Sequence, residues 1–329
     1  MKKQVMIYSA MPDGCVAELE KQFEVVTAAP GSPEFEQALP SSLGLIGSGL
    51  VVDSALLDRA PSLRIVSNIS AGYDNLDIDE LTNRGILATN TPDVLTETTA
   101  DAIFGLLIST ARRIPELDRY VKEGSWTGKI DNSLFGVDVH GKTLGMIGMG
   151  KIGQAVAERA RFGFRMEILY HNRTRKPEAE AKLDAVYRDL EDLLRQSDFV
   201  CLMAPQTPET IRMIGEREFG LMKESAIFIN GSRGALVDEN ALVEALTSGR
   251  ILAAGLDVFE KEPIGISHPL LSLPNAVALP HIGSATSETR LEMARLAIQN
   301  LIEGLSGKTP PSLINSEVKA SRNTTNSYE

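Results

Sequence analysis

The sequence predicts an α/β protein of two doubly wound parallel-sheet domains, the second inserted into the first. Three observations predict it. From Val5 to about Thr91, short apolar runs alternate with helical patterns, as in parallel strands covered by helices. In the middle of the chain, a Gly-x-Gly-x-x-Gly turn from Gly148 to Gly153 opens a second strand–turn–helix series. After the last strand, a helix pattern from about Glu288 to Glu303 carries Leu291, Ala294, Leu296, Ile298 and Leu301, and is expected to return to the first domain.

In the first domain the strand-like runs are Val5–Tyr8, Phe23–Val26, Leu43–Ile46, Leu63–Ser67 and Ile86–Ala88, with helix candidates such as Asp53–Arg59 and Ile78–Arg84 between them. One long helix is expected from Thr98 to about Tyr120. Its Ala102–Ile108 stretch is apolar around much of the circumference, which points to burial at a domain or subunit interface. The second domain has strands before Gly148, at Met166–Tyr170, Phe199–Leu202, Ala226–Ile229, Ala253–Leu256 and Ala276–Leu279. The expected division is 1–98 with 287–316 as a substrate-binding domain and 99–286 as the inserted domain. The polar segment 317–329, without periodicity, is expected to be a disordered tail.

A chain of 329 residues, 43% apolar and 23% charged, has enough apolar content for two cores and is not mainly disordered. Its net charge of −11 argues against nucleic acid or an anionic membrane as a partner, so an anionic substrate needs locally placed bases. Only two cysteines occur, Cys15 and Cys201, with neither a disulfide framework nor metal-ligand spacing; no metal is expected. A reducing cytoplasm fits, since the apolar stretch Val5–Ala10 is too short for a secretory leader and no run reaches membrane-spanning length.

The glycine fingerprint carries the first chemistry. Gly148, Gly150 and Gly153, with Met149, Lys151 and Ile152 between them, follow an apolar strand and open a helix. Glycines at that spacing give a tight turn, close backbone approach to a pyrophosphate and close helix–strand packing, and the helix N-terminus presents free N–H groups to phosphate. The inserted domain is therefore expected to be a Rossmann-type dinucleotide domain. An NAD site wants Asp or Glu about 20 residues on, for the ribose hydroxyls. Here the next strand runs into His171-Asn172-Arg173-Thr174-Arg175. With no carboxylate to repel a 2′-phosphate, and with Asn172, Arg173 and Arg175 able to bind one, NADPH is the expected cofactor and NADH a second, poorer one.

Reduction of a carbonyl by such a cofactor needs a proton donor, a group to orient it and a cation for a substrate carboxylate. Of four histidines, His140 precedes the fingerprint strand, His171 sits at the adenosine end, and His268 in its Pro-flanked loop reads as surface. His281 follows a strand, at the carboxyl end where open α/β sheets bind ligands. Arg233 and Glu262 follow the two preceding strands in the same way. Any one of them alone would pass for a surface charge; three on consecutive strand ends form a candidate set.

With these pieces the chain resembles the D-isomer-specific 2-hydroxyacid dehydrogenase family over nearly its whole length. The matching segments are Gly148-x-Gly150-x-x-Gly153, Asn230-Gly231-Ser232-Arg233-Gly234, Gly255-Leu256-Asp257-Val258-Phe259 through Glu262-Pro263, and Pro280-His281-Ile282-Gly283. The runs Asn68–Asn75 and Asp198–Met203 are most similar to the bacterial branch of glyoxylate/hydroxypyruvate and 2-ketogluconate reductases. The resemblance implies a flavodoxin-like fold for the substrate domain. It implies that Arg233 holds the substrate carboxylate and polarises the C2 carbonyl, that His281 protonates the developing alkoxide, and that Glu262 orients His281. It further implies that the Ala71 and Gly72 N–H groups bind the carboxylate and that Asp257 contacts the nicotinamide side. Pro205, Thr210, Gly231, Ser232 and Gly283 complete the cofactor surface. The implied partners are a small 2-keto acid (2-ketogluconate, hydroxypyruvate or glyoxylate) and a second copy, paired through the Ala102–Ile108 region and the loop Gly124–Gly128 with Trp126. Other dehydrogenases of this fold stay open, acting on 2-ketogluconate 6-phosphate, D-lactate or phosphite, as does a nucleotide-sensing corepressor. Formate dehydrogenases, which carry Gln where Glu262 stands, are disfavoured.

Overall fold

A computed structural model describes residues 2–318. The chain divides into two compact units, one from the residues up to Leu95 together with those from Thr286 on, the other Thr96–Ala285.

The first unit is built on a parallel sheet of β1 (Gln4–Ile7), β2 (Glu24–Thr27), β3 (Gly44–Gly47), β4 (Ile65–Asn68) and β5 (Leu87–Thr89). Their order, β2-β1-β3-β4-β5, is the flavodoxin-like doubly wound arrangement. β3 and β4 are buried along their whole length, as strands covered on both faces must be. The returning helix, Ser287–Leu305, packs on β3 and β4. Glycines permit the close approach: a Cβ on Gly44 would lie 2.6 Å from Leu301, and one on Gly304 2.5 Å from Ile65. Buried polar side chains then join the helix to the strands, with Ser67 Oγ donating to the Ala297 carbonyl at 2.8 Å and Asn300 Nδ2 to that of Asn90 at 3.1 Å.

The second unit holds β6 (Thr143–Ile147), β7 (Glu167–His171), β8 (Val186–Tyr187), β9 (Phe199–Leu202), β10 (Ile227–Asn230), β11 (Ala253–Leu256) and β12 (Ala276–Ala278). All pairs are parallel, in the order β12-β11-β10-β9-β6-β7-β8. Strand order reverses between β6 and β9, so their carboxyl ends open the crevice where such sheets bind ligands.

The long helix expected from Thr98 to Tyr120 is two helices, Thr96–Ala111 and Ile114–Lys122. The break has a chemical cause. Pro115 has no N–H for the Ala111 carbonyl and its ring would clash there, so that carbonyl accepts from Val137 instead, at 2.9 Å. Arg113 turns the chain at φ 55°, braced by Glu116 at 2.8 and 2.7 Å.

Apolar residues of the first helix pack inward, while Ala102 and Ile108 stay half-buried. Ile103, Phe104, Leu106 and Leu107 are buried in the core of their own unit, against β10, β11 and β12. Each side chain contributes about 1.5–3 kcal/mol there. β8 went unforeseen because two residues carry no alternation to detect. Of the tail expected from 317, Val318 is buried; 319–329 lie outside the described residues. Among the described residues no helix is long and apolar enough to cross a membrane.

Candidate active site

The fingerprint loop runs from β6 into the helix Lys151–Glu158. Gly148 sits at φ 98°, and a Cβ there would lie 2.5 Å from the Met203 backbone after β9. At Gly153 a Cβ would come within 2.1 Å of the Gly148 carbonyl oxygen, so helix and strand pack as closely as two glycines allow. Gly150 is different: nothing stands within 4 Å of where its Cβ would be. It is also the helix N-cap and offers no side chain to the first N–H groups. A turn held rigid at two glycines and open at the third, at the N-terminus of a helix, fits a dinucleotide pyrophosphate. Met149 is fully buried, and Ile152 packs against the core.

At the end of β7, Asn172 Oδ1 accepts from the Met149 N–H at 3.3 Å and Nδ2 donates to the Thr174 carbonyl at 2.8 Å, tying this turn to the glycine loop. The two guanidiniums differ. Arg175 is engaged with Glu180 at 3.0 and 2.7 Å and lies over the Tyr187 ring. Arg173 is exposed; its charge reaches Glu209, whose carboxyl is lowered first by the Thr207 hydroxyl and its own backbone N–H and then by Arg173. On the loop after β9, Thr210 Oγ1 donates to the Pro205 carbonyl and accepts from the Thr207 N–H, both at 2.8 Å, so Pro205 and Thr210 form one closed turn.

β10, β11 and β12 are neighbours, and their carboxyl ends carry Arg233, Glu262 and His281. The buried Asn230 shapes the first loop, accepting from the Ser232 N–H at 3.1 Å and donating to the Arg233 carbonyl at 3.0 Å. Ser232 Oγ donates to the Ala204 carbonyl. A Cβ on Gly231 would lie 2.3 Å from Ile103, and one on Gly234 1.8 Å from the Phe259 backbone, so the loops after β10 and β11 are pressed together.

Glu262 Oε1 accepts from the Phe259 N–H at 3.0 Å, and Oε2 lies 2.7 Å from His281 Nδ1. A carboxylate only accepts, so Nδ1 carries a hydrogen and Nε2 is left as the exchanging nitrogen. The His281 side chain is 49% exposed, open to a substrate. Its backbone adopts φ 53°, an uncommon conformation that its surroundings must hold in place. Asp257 does this. Its carboxylate, buried at the end of β11, accepts from Ile282 N–H at 2.7 Å and Gly283 N–H at 2.9 Å. Burial pushes the Asp257 carboxyl up, against the pull of those two N–H groups.

In the other unit, Ala71 and Gly72 lie on the loop after β4. Three successive carbonyls there have partners: Ser70 accepts from the Thr91 N–H at 2.9 Å, Ala71 from Asn90 Nδ2 at 2.7 Å and Gly72 from Asn68 Nδ2 at 3.0 Å. Among the described residues nothing accepts from the Ala71, Gly72 or Tyr73 N–H. Successive free N–H groups of this kind suit an anion. Asn75 extends the network, donating to the Leu50 carbonyl at 2.7 Å.

Sequence reasoning quoted Asn68 and Asn230 in matching segments without seeing their supporting role, and missed Asn90. Their signal was present, as Asn ending or following a buried strand has to satisfy backbone groups beside it. His268, read as surface, is 28% exposed and engaged, with Nε2 3.2 Å from Glu239. His171 Nδ1 contacts the Arg188 carbonyl at 3.1 Å, and His140 is exposed.

Comparison with known proteins gives the family. Residues 104–283 match the family model "D-isomer specific 2-hydroxyacid dehydrogenase, NAD binding domain". The chain is 52% identical over 322 residues to glyoxylate/hydroxypyruvate reductase B of Citrobacter koseri, covering 97% of this chain and 99% of that protein. Among solved structures, a Thermus thermophilus protein superposes with a TM-score of 0.88 at 42% identity, over 94% of this chain and 99% of the other. The NADPH-dependent glyoxylate/hydroxypyruvate reductase of Sinorhizobium meliloti, in complex with NADP and malonate, gives 0.87 at 33% identity, over 97% and 98%. The chain belongs to the D-isomer specific 2-hydroxyacid dehydrogenase family and is an NAD(P)-dependent oxidoreductase.

Proposed function

We propose that the protein reduces a small 2-keto acid, glyoxylate or hydroxypyruvate foremost and 2-ketogluconate next, to the D-2-hydroxy acid with NADPH. The observation that carries this is the His281–Glu262 pair at 2.7 Å, formed between the loops after β12 and β11, with Arg233 following the adjoining β10. The chemistry NADPH supplies when bound is a hydride for C2 of the substrate. Arg233 pairs with the carboxylate, and the N–H groups of Ala71 and Gly72 suit an anion. His281 Nε2 delivers a proton to the carbonyl oxygen as charge develops on it, while Glu262 holds the imidazole through Nδ1. Glyoxylate and hydroxypyruvate are put first because relatives at 51–52% identity carry those names. Assaying a panel of 2-keto acids with both cofactors tests the ranking; a higher kcat/KM for 2-ketogluconate than for either would reverse it.

Preference for NADPH rests on Asn172 and Arg173 rather than on Arg175, which Glu180 already holds. Removing one charge-assisted contact to a 2′-phosphate costs about 1.5–3 kcal/mol, or roughly 10–100-fold in affinity. Arg173→Ala is therefore expected to raise the KM for NADPH by that factor and leave that for NADH nearly unchanged. An unaltered ratio of kcat/KM between the two cofactors would remove Arg173 from the site.

The working form is proposed to be a homodimer. The helix Ile114–Lys122 buries none of its residues, and the segment around it exposes Ile114 (49%), Val121 (51%), Trp126 (61%), Ile130 (54%) and Phe135 (58%). Exposed apolar side chains gathered on one segment of chain are suited to a second copy. Sedimentation should give about twice the 35.6 kDa chain mass, and a monomer at micromolar concentration would refute this. The buried free thiols of Cys15 and Cys201 accord with a cytoplasmic location.

A further inference from the structure

Glu262 sits on a loop, and loops position groups less well than strands do. What holds this loop lies outside the set already described. Glu239 begins the helix Glu239–Thr247, directly after its N-cap Asp238. Its side chain is only 12% exposed, and each carboxylate oxygen faces a different point of the loop. Oε1 accepts from the Glu260 N–H at 2.6 Å, two residues before Glu262. Oε2 lies 3.2 Å from His268 Nε2, six residues after it. His268 Nδ1 accepts from the Leu270 N–H at 3.4 Å and so caps the short helix Pro269–Ser272. Since Nδ1 accepts, the ring proton is on Nε2, facing the carboxylate. One side chain thus grips both ends of the segment that carries Glu262, from an element whose start is fixed by its own N-cap. At the surface, Arg212 adds a tie to Glu260 at 3.1 Å.

We infer that Glu239 and His268 are positioning residues for the reaction: their bracket across residues 260–268 sets where the Glu262 carboxylate meets His281. The inference rests on the proposed roles of Glu262 and His281. It makes Glu239 act on catalysis only through Glu262, which a double-mutant cycle detects. Small misplacements at a reacting centre cost up to about 10²-fold in rate. Glu239→Ala should therefore lower kcat for glyoxylate reduction by about 10–100-fold and leave the Kd for NADPH unchanged. In a Glu262→Gln background the same change should cost nothing further, because the carboxylate it positions has gone. His268→Asn keeps an acceptor for the Leu270 N–H but is too short to reach Glu239. It should lower kcat in the same direction without unfolding the protein, and repeats the cycle if Glu239→Ala does not fold.

The outcomes separate. If Glu262→Gln itself turns over at the parent rate, the reading of the site fails and this inference with it. If Glu262→Gln is slow but Glu239→Ala and His268→Asn match the parent kcat, or their losses multiply with that of Glu262→Gln, the site stands and the bracket is overturned.

Discussion

The His281→Ala variant is expected to reduce glyoxylate about 10²–10⁴ times more slowly than the parent, the range for losing a general acid. The Kd for NADPH should stay unchanged. The size of the effect follows from what is lost. Adding hydride to C2 leaves an alkoxide, and His281 Nε2 is the nitrogen free to protonate it, because Nδ1 is taken by Glu262 at 2.7 Å. Binding is expected to be spared because the phosphates and adenosine are proposed to be held by loops after β6, β7 and β9, and the change removes only the His281 side chain. Single-turnover reduction with enzyme in excess checks the chemical step directly, and titration with NADPH checks binding. Near-normal turnover would mean that the proton comes from elsewhere.

The second large effect belongs to Arg233. Its guanidinium is steadied by donation from Nη1 to the Ser232 carbonyl at 3.0 Å, and its loop by Asn230 on both sides. Two charge-assisted hydrogen bonds to a carboxylate, at about 1.5–3 kcal/mol each, are worth roughly 10²–10⁴ in kcat/KM. Arg233→Ala should lose that amount, raising KM and lowering kcat together, since the same group is proposed to steady the carboxylate and polarise the carbonyl. Arg233→Lys keeps the charge without the planar fork and should recover only part of the loss. Guanidinium ion added to the alanine variant should restore some activity. Parent-level kcat/KM in Arg233→Ala would assign the carboxylate to other groups.

Much of this was legible before any coordinates, for physical reasons. Strands buried on both faces are continuous apolar runs, so Phe199–Leu202 and Ala253–Leu256 could be bounded to the residue. The glycine turn was legible because its requirements are steric: at Gly148 and Gly153 a Cβ would collide with neighbouring backbone. Arg233, Glu262 and His281 stood out because they follow strands whose neighbours are also strands.

What stayed hidden depends on partners distant in sequence. The break at Pro115 could have been read from the proline alone, yet the apolar pattern on either side of it suggested a single helix. That Arg175 answers to Glu180 rather than standing open beside Arg173 is a matter of rotamer and distance, which charge counting does not give. Asp257 holding the His281 loop, and Glu239 reaching both Glu260 and His268, are contacts across 25, 21 and 29 positions of chain. No periodicity encodes these.

The central claim is that this chain makes D-2-hydroxy acids from 2-keto acids at the expense of NADPH, and the most direct measurement is the hand of the product. Purified protein is incubated with hydroxypyruvate and NADPH, cofactor oxidation is followed, and the glycerate formed is resolved into enantiomers. Stoichiometric formation of D-glycerate is expected, and formation about 10²–10⁴ times slower with His281→Ala. Formation of the L-enantiomer, or no NADPH oxidation with hydroxypyruvate, glyoxylate or 2-ketogluconate, would contradict it.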